Sequence, residues 1–323
     1  MGLDSKDKRL LSYLCLNSRT PLSQLAKKAA MSKDSAGYRL RRLISEHIIL
    51  DFVTEIDEKA LGFDRYLVYL AFQHIDEKKE QQIMHFITTH SFVSWTTTSS
   101  GRWSVIIDFL ARNAQDVHFF VETLKSLFDS CVSESLVVPL LWFEHYPEKI
   151  FGEHFSLQKK KNAQEVSLDK RDIQILAFLA NNARSDYVSL AKHLHLTANA
   201  IKYRIRHLLN NHIIQRFTIY PNKRLLGYEH YYIQILFLTS SEKQEKELIG
   251  YLQAHPNVSA IYKPLSGIDL EFSVFVSDSG VLRTFILKLR NAFGSFIKLH
   301  DTILFYEESK ANYLPLGVFQ QAI

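Results

Sequence analysis

Cysteine is scarce and unpaired in pattern. Cys15 and Cys131 are the two in 323 residues, far apart and without CxxC or Cys/His companions. That excludes a disulfide framework or a cysteine zinc site and fits a reduced compartment. No run of about 18 uninterrupted apolar residues exists, so no membrane span is expected. Met1 to Arg9 is polar and charged and lacks the apolar stretch of a signal peptide, which predicts a cytoplasmic protein. Enzyme signatures are missing too: there is no G-x-S-x-G, no P-loop and no paired-carboxylate motif. His193, His195, His207 and His212 have no Cys or acidic partner at ligand spacing, so surface histidines are expected rather than a metal site. Neither catalysis nor a cofactor is expected. What remains is an ordinary globular composition, 46% hydrophobic and 23% charged, at a length of roughly two domains. The net charge of +5 admits nucleic acid as a partner without requiring it.

The chain repeats itself. Shifted by 165 residues, it aligns without a gap over 61 positions, Leu3–Phe63 on Leu168–Tyr228, with 20 identities where composition gives roughly 4 by chance. LDSKDKRLLSYL lies over LDKRDIQILAFL, and GYRLRRLISEHII over KYRIRHLLNNHII. Leu61-Gly62-Phe63 lies over Leu226-Gly227-Tyr228. The polar stretch between the copies, residues 151–166 with Lys159 to Lys161, reads as a linker.

Each copy opens with three helices. Leu10, Leu11 and Leu14 share a face at helical spacing, as do Ile175, Leu176 and Leu179. Thr20-Pro21 and Ser185-Asp186 each start a second helix, the first with proline at the first helical position and the second with an acid suited to a helix N-terminus. Ser32 and Thr197 cap a third, whose buried faces are Ala36, Leu40, Leu43 and Ile201, Ile205, Leu208. This is a helix-turn-helix arrangement. The outer face of the third helix carries Asp34, Ser35, Tyr38, Arg41 and Arg42, with Lys33 at its start and Arg39 on the flank. Its counterpart carries Asn199, Ala200, Tyr203, Arg206 and His207, with Lys202 and Arg204. Arginine reads guanine or clamps phosphate and asparagine reads adenine, so both faces suit a major groove. A solvated charged face is the bland reading. Arginines recurring at matched positions, with acids nearly absent, weigh against it.

After a short β-like stretch (Phe52–Thr54, Phe217–Ile219), each copy shows a βαββαβ pattern. Strands are expected near Tyr66–Gln73, Phe92–Thr98, Trp103–Leu110 and Ser135–Phe143, with helices at Glu77–Thr89 and Ala114–Phe128. The second copy gives strands near Tyr231–Leu238, Val258–Lys263, Leu270–Val276 and Lys298–Tyr306, with helices at Glu242–Ala254 and Ser279–Phe293. That order suggests a ferredoxin-like α+β sandwich. Trp95, Trp103 and Trp142 are expected on strands, and Cys15, over Ala180 in the repeat, in the core.

The order LDxxDxxILxxLxxNxR, LAK, a capped helix with YRxRxL, HII and LG resembles the leucine-responsive/AsnC (Lrp/AsnC) family of regulators, twice over. The resemblance implies an α+β chain of two winged helix-turn-helix units, each followed by a ferredoxin-like ligand-binding domain. It divides the chain into helix-turn-helix units at 1–54 and 167–219 and sensor domains at 61–150 and 226–323. It implies double-stranded DNA as partner, a small-molecule effector such as an amino acid, and higher oligomers through exposed sheet faces. Effector contacts would fall in the turn between the second and third strands of each sensor domain, at Gly101 and at Gly267 with Asp269; the first copy has Trp103 where the aspartate is expected. Where the family often has glycine in or after the helix-turn-helix, this chain has Ala30, His195, His47 and His212, so altered turns are expected there. The two sensor domains are expected to pair within the chain as a covalent pseudo-dimer. Siroheme decarboxylases resemble the family in fold, which makes a tetrapyrrole enzyme one alternative; a sensor that has lost DNA binding is another.

Overall fold

The computed structural model describes residues 2–128, 131–152, 166–239, 241–311 and 314–321. The first half runs α1 (Ser5–Leu16), α2 (Leu22–Lys28), α3 (Lys33–Ser45), β1 (Ile49–Ile56), β2 (Asp64–Phe72), α4 (Glu77–Thr89), β3 (Val93–Ser99), β4 (Val105–Ala111), α5 (Ala114–Leu127) and β5 (Val132–His145). The second half runs α6 (Lys170–Asn181), α7 (Tyr187–Leu194), α8 (Ala198–Asn210), β6 (Ile214–Pro221), β7 (Glu229–Phe237), α9 (Glu242–Ala254), β8 (Val258–Pro264), β9 (Leu270–Val276), α10 (Ser279–Phe293) and β10 (Ile297–Ala311), and a last helix α11 (Leu316–Gln321) follows. From α1/α6 to β5/β10, every element of the second half starts 165 residues after its counterpart, as Lys170 does after Ser5. The repeat seen over 61 positions therefore persists through both sensor domains.

Capping chemistry sets the helix starts. Asp4 and Asp7 form a reciprocal capping box on α1, and Asp169 and Asp172 do the same on α6, satisfying amide groups that helix ends leave open. Strands β2–β5 form one four-stranded sheet and β7–β10 the other. They join at both edges, β3 on β10 and β5 on β8, into a closed eight-stranded barrel. Alternation along each strand explains why. On β2, Val68 and Leu70 face outward into the core under α4 and α5, while Leu67 and Tyr69 face inward to meet Tyr232, Ile303 and Phe305 of the other half. Both faces of each sheet are thus buried and no free edge is left. Trp103 departs from its expected strand: it lies in the β3–β4 turn, buried, with its ring 5.4 Å from Tyr69.

The helix-turn-helix units are joined as well. The strand after each recognition helix pairs with its counterpart across the halves, β1 antiparallel to β6, with Thr54 opposite Phe217. The joint is pseudo-symmetric. Ser18 N–H donates to the Phe217 carbonyl at 2.9 Å, and Ala183 N–H to the Phe52 carbonyl at 2.8 Å. Arg19 lies over Tyr187 and Phe217 and donates to the Ala183 and Ser185 carbonyls, while Arg184 lies over Phe52. Of the expected linker, residues 153–165, including Lys159 to Lys161, lie outside the described residues. Phe151, at its start, is buried with Ile150 against the core of the first helical unit. Apolar burial explains its place: this short 3-10 segment, Pro147–Phe151, docks on α1 instead of leaving for solvent.

Candidate nucleic-acid interface

The turn between α2 and α3 and that between α7 and α8 keep left-handed backbone without glycine. Ala30 and His195 have φ of 53° and 54°, and His47 and His212, after the recognition helices, 56° and 57°. The expectation of altered turns is corrected: the geometry is retained, at a cost of about 1–2 kcal/mol for each non-glycine residue. Past the turn, Ser32 accepts from Ser35 N–H at 3.2 Å and Thr197 from Ala200 N–H at 3.1 Å, which starts both recognition helices in one register. Ala36, Leu40 and Leu43 anchor α3, and Ile201, Ile205 and Leu208 anchor α8.

The outer faces then sort the basic residues into two kinds. Tyr38 and Tyr203 stand 63% and 72% exposed, and Lys33, Arg41, Lys202, Arg206, Asn199 and His207 are exposed beside them. Ser35 is half-buried and its amide serves the cap. Arg39 and Arg204 belong elsewhere, which corrects their expected place among the contact residues. Arg39 Nη1 reaches Asp4 and Asp7, both at 2.7 Å, and Arg204 Nη1 reaches Asp169 and Asp172, both at 2.8 Å. Each guanidinium stitches the recognition helix to the capping box of the first helix in its unit. Arg42 is similarly committed, 2.6 Å from Asp7 Oδ2. His207 stacks on Tyr203 with an interplanar angle of 13°. Arg39 and Arg204 are each held by two carboxylates through Nη1, whereas Arg41 and Arg206 are the matched arginines left exposed on the outer faces of α3 and α8.

The expected effector turns are built into the barrel. Gly101 and Gly267 have φ of 91° and 83°, which favours glycine in those turns. Asp269 Oδ2 accepts the Phe237 amide at 2.7 Å. By the 165-residue offset its counterpart is Ser104, not Trp103, and Ser104 Oγ accepts the matching Phe72 amide at 2.9 Å. Asp269 is therefore committed to fixing the end of β7. Both turns also close the seams: Ser100 exchanges hydrogen bonds with Leu304 of β10, and Leu265 N–H donates to the Pro139 carbonyl of β5.

Sequence reasoning missed a largely apolar cavity of about 100 Å³ inside the barrel, with two charged clusters at its sides. On one side Arg65 bridges Glu58 at 3.0 Å and Asp108 at 2.6 Å. On the other, Glu308 receives Lys223 at 3.3 Å, His230 Nδ1 at 3.1 Å and the Tyr220 hydroxyl. Burial pushes the His230 pKa down to about 4. For Glu308 burial acts upward, but the Lys223 charge and the His230 and Tyr220 hydrogen bonds reverse it and hold the carboxyl well below the usual range. The signal lay in the repeat: by the offset Glu58 matches Lys223, Arg65 matches His230, and Asp108 matches Ser273.

Residues 3–44 match the AsnC-type helix-turn-helix domain, and residues 168–215 match a winged helix-turn-helix DNA-binding domain. An HTH-type transcriptional regulator of Pyrococcus horikoshii is 32% identical over 129 residues, 39% of this chain and 86% of that protein. The chain belongs to the Lrp/AsnC family. The regulatory protein AsnC of Haemophilus influenzae is 21% identical over 43% of this chain and 92% of its own length. This family member thus has one such unit's worth of sequence in each half. Over its whole length it shares a fold with the siroheme decarboxylase NirDL, at 13% identity, a TM-score of 0.66, and coverage of 99% and 97% of the two chains.

Proposed function

We propose that this Lrp/AsnC protein is a sequence-specific DNA-binding transcription regulator that acts as a covalent pseudo-dimer under the control of a small molecule. One observation carries the reading: two exposed basic helix faces, with Tyr38 and Arg41 matched by Tyr203 and Arg206, belong to units joined through β1 and β6. Tyrosine and arginine at matched, solvent-facing positions of a third helix suit phosphate and base-edge contact. Linkage makes the second helix's binding effectively intramolecular, raising affinity without new contacts. The helices differ at early positions, among them Asp34 and Ser35 against Asn199 and Ala200. The preferred site is therefore an imperfect palindrome, with half-sites about 10 bp apart or a multiple of that. Binding-site selection followed by footprinting tests this; a perfectly symmetric preferred site, or a footprint covering a single half-site, refutes it.

The fold shared with NirDL supports a second reading, an enzyme acting on a tetrapyrrole, because the cavity holds a buried imidazole, His230, among aromatic rings. The cavity's charges speak against it. Siroheme is a polycarboxylate, whereas Arg65 and Lys223 are already matched to Glu58, Asp108 and Glu308. A Soret-type band in the purified protein, together with release of carbon dioxide from siroheme, would establish the enzyme reading over the regulator.

A further inference from the structure

Helical twist sets which residues of a recognition helix stand farthest from its core. At about 100° per residue, positions 34, 38 and 41 of α3 fall within about 60° of one another, opposite Ala36, Leu40 and Leu43. In α8 the same stripe is 199, 203 and 206, opposite Ile201, Ile205 and Leu208. Every residue of both stripes is exposed. Tyr38 is matched by Tyr203 and Arg41 by Arg206, but Asp34 stands where the second half has Asn199. Ser45 and Asn210 continue the stripes as the last residues of their helices, roughly 16 Å further along the axis. A helix-turn-helix reads bases through the N-terminal residues of its recognition helix, so the difference at Asp34 and Asn199 falls at the reading end.

The two side chains leave their helices in one register. Each is the second residue after the cap, Ser32 or Thr197, whose side chain accepts from Ser35 N–H or Ala200 N–H. Among the described residues, no hydrogen bond or ion pair holds either side chain. An acid in the first turn suits the helix dipole, yet α8 has none there and forms a helix of the same 13 residues. The carboxylate is therefore not needed to start the helix. The neighbouring differences lie on the flanks: Ser35 and Ala200 are half-buried, and Arg42, opposite His207 in the repeat, is held by Asp7.

Hydrogen-bonding capacity then separates the pair. A carboxylate only accepts, whereas a carboxamide both accepts and donates. In the major groove cytosine offers its N4 amino donor, and adenine offers an N6 donor beside the N7 acceptor. Asparagine matches adenine with two parallel bonds; aspartate matches cytosine, and opposite adenine it would set a carboxylate oxygen against N7. Lys33 and Arg41, exposed on the same helix, offset the charge that Asp34 brings to the groove. We infer that Asp34 and Asn199 are the specificity-determining pair of this protein: Asp34 reads a cytosine in the half-site under α3, and Asn199 reads an adenine at the matched position under α8. Tyr38, Arg41 and their counterparts supply the contacts common to both half-sites. The inference rests on the DNA-binding reading and goes beyond it by naming the base at which the half-sites part.

The test is site selection from a random duplex library by the full chain, wild type and two single variants, followed by gel shifts on the selected duplex with each base at the reading position. Wild type should select C in one half-site and A at the matched position of the other. Asp34→Asn should turn the C into A, and Asn199→Asp the A into C, each with about a tenfold or larger change in relative affinity for the two bases. Thermal melts establish that each variant is folded, and if one is not, the other decides. Should Asp34 serve the helix alone, Asp34→Asn would shift the melt and leave the C in place. A wild-type site with the same base at both matched positions, or C and A that persist in the folded variants, overturns the inference and leaves the regulator reading standing. A wild-type chain that selects no sequence overturns both.

Discussion

Replacing Glu271 with glutamine tests the interior of the barrel more sharply than any surface change. Its carboxylate is fully buried where the halves meet, accepting from the Tyr69 hydroxyl at 2.5 Å, Gln234 Nε2 at 2.7 Å and the Tyr232 hydroxyl at 3.2 Å. Burial pushes its pKa up to about 7, against the three hydrogen bonds that favour the ionised form. The folded chain therefore holds a proton that the unfolded chain releases near the ordinary glutamate value. Stability from this group is complete below that value and is lost as pH rises through about 7. At about 1.36 kcal/mol per pKa unit, the loss between pH 5 and pH 8 is about 2.5 kcal/mol.

The wild-type protein will not display that loss plainly, because His230 works in the opposite sense. Its pKa falls to about 4 on burial, so it withholds a proton in the folded state, and its contribution rises as pH climbs from 4 towards the ordinary histidine value. The two slopes largely cancel between pH 5 and pH 8. The difference between variant and wild type isolates Glu271, since His230 is common to both. Urea unfolding of Glu271→Gln and wild type at pH 5 and pH 8 should show the variant gaining about 2–3 kcal/mol relative to wild type on going to pH 8. A difference that stays constant to within about 0.5 kcal/mol would show that Glu271 does not carry a proton in the barrel.

Arg41→Ala and Arg206→Ala should each weaken DNA binding and flatten its log–log salt dependence by about one; unchanged affinity and slope in gel shifts would remove them from the contact face. Arg39→Ala should instead lower stability by about 1–2 kcal/mol, because it strips a charged hydrogen bond from buried Asp7; a urea midpoint equal to wild type would contradict the stitching role. Ala30→Gly should stabilise the first helical unit by about 0.5–1 kcal/mol, trading left-handed strain for backbone entropy, and thermal unfolding that is unchanged or earlier would count against the strained turn.

Periodicity and capping were legible because they are local. The helices Glu77–Thr89, Glu242–Ala254 and Ser279–Phe293 and the strand Leu270–Val276 lie where the sequence puts them, since apolar spacing and a cap residue act within a few positions. The outward face of α3 followed from the same spacing. What a face does with its charges did not. Arg39 and Arg41 look alike in the sequence, and they part only because Asp4 and Asp7, some 32–35 positions earlier, come to lie under one of them. The closed barrel was hidden for a like reason. Strand pairs β3–β10 and β5–β8 join residues over a hundred positions apart, and nothing local specifies them. Yet a trace existed: Gln234 lies between Ile233 and Ile235 and Glu271 between Leu270 and Phe272, and such polar breaks in a doubly buried strand call for partners from elsewhere.

Fusion of the two copies explains why the cavity and the DNA-facing helices could both become unequal. In a dimer of identical chains, any change on one side of the two-fold axis is made on the other. Repeating the first half would set Glu58, Arg65 and Asp108 on both sides; repeating the second would set Lys223, His230, Ser273 and Glu308 on both. Neither gives the actual arrangement, in which an Arg-centred carboxylate cluster faces an imidazole–carboxylate cluster across one cavity. One chain carrying both halves needs no such symmetry. The same freedom lets Asp34-Ser35 and Asn199-Ala200 diverge while Tyr38, Arg41 and their counterparts stay matched. The one-sided cavity and the divergent starts of the recognition helices are both compatible with two copies held in one chain, where neither half is bound to repeat the other. A perfectly symmetric preferred operator would show that the divergence at Asp34-Ser35 and Asn199-Ala200 carries no reading on DNA.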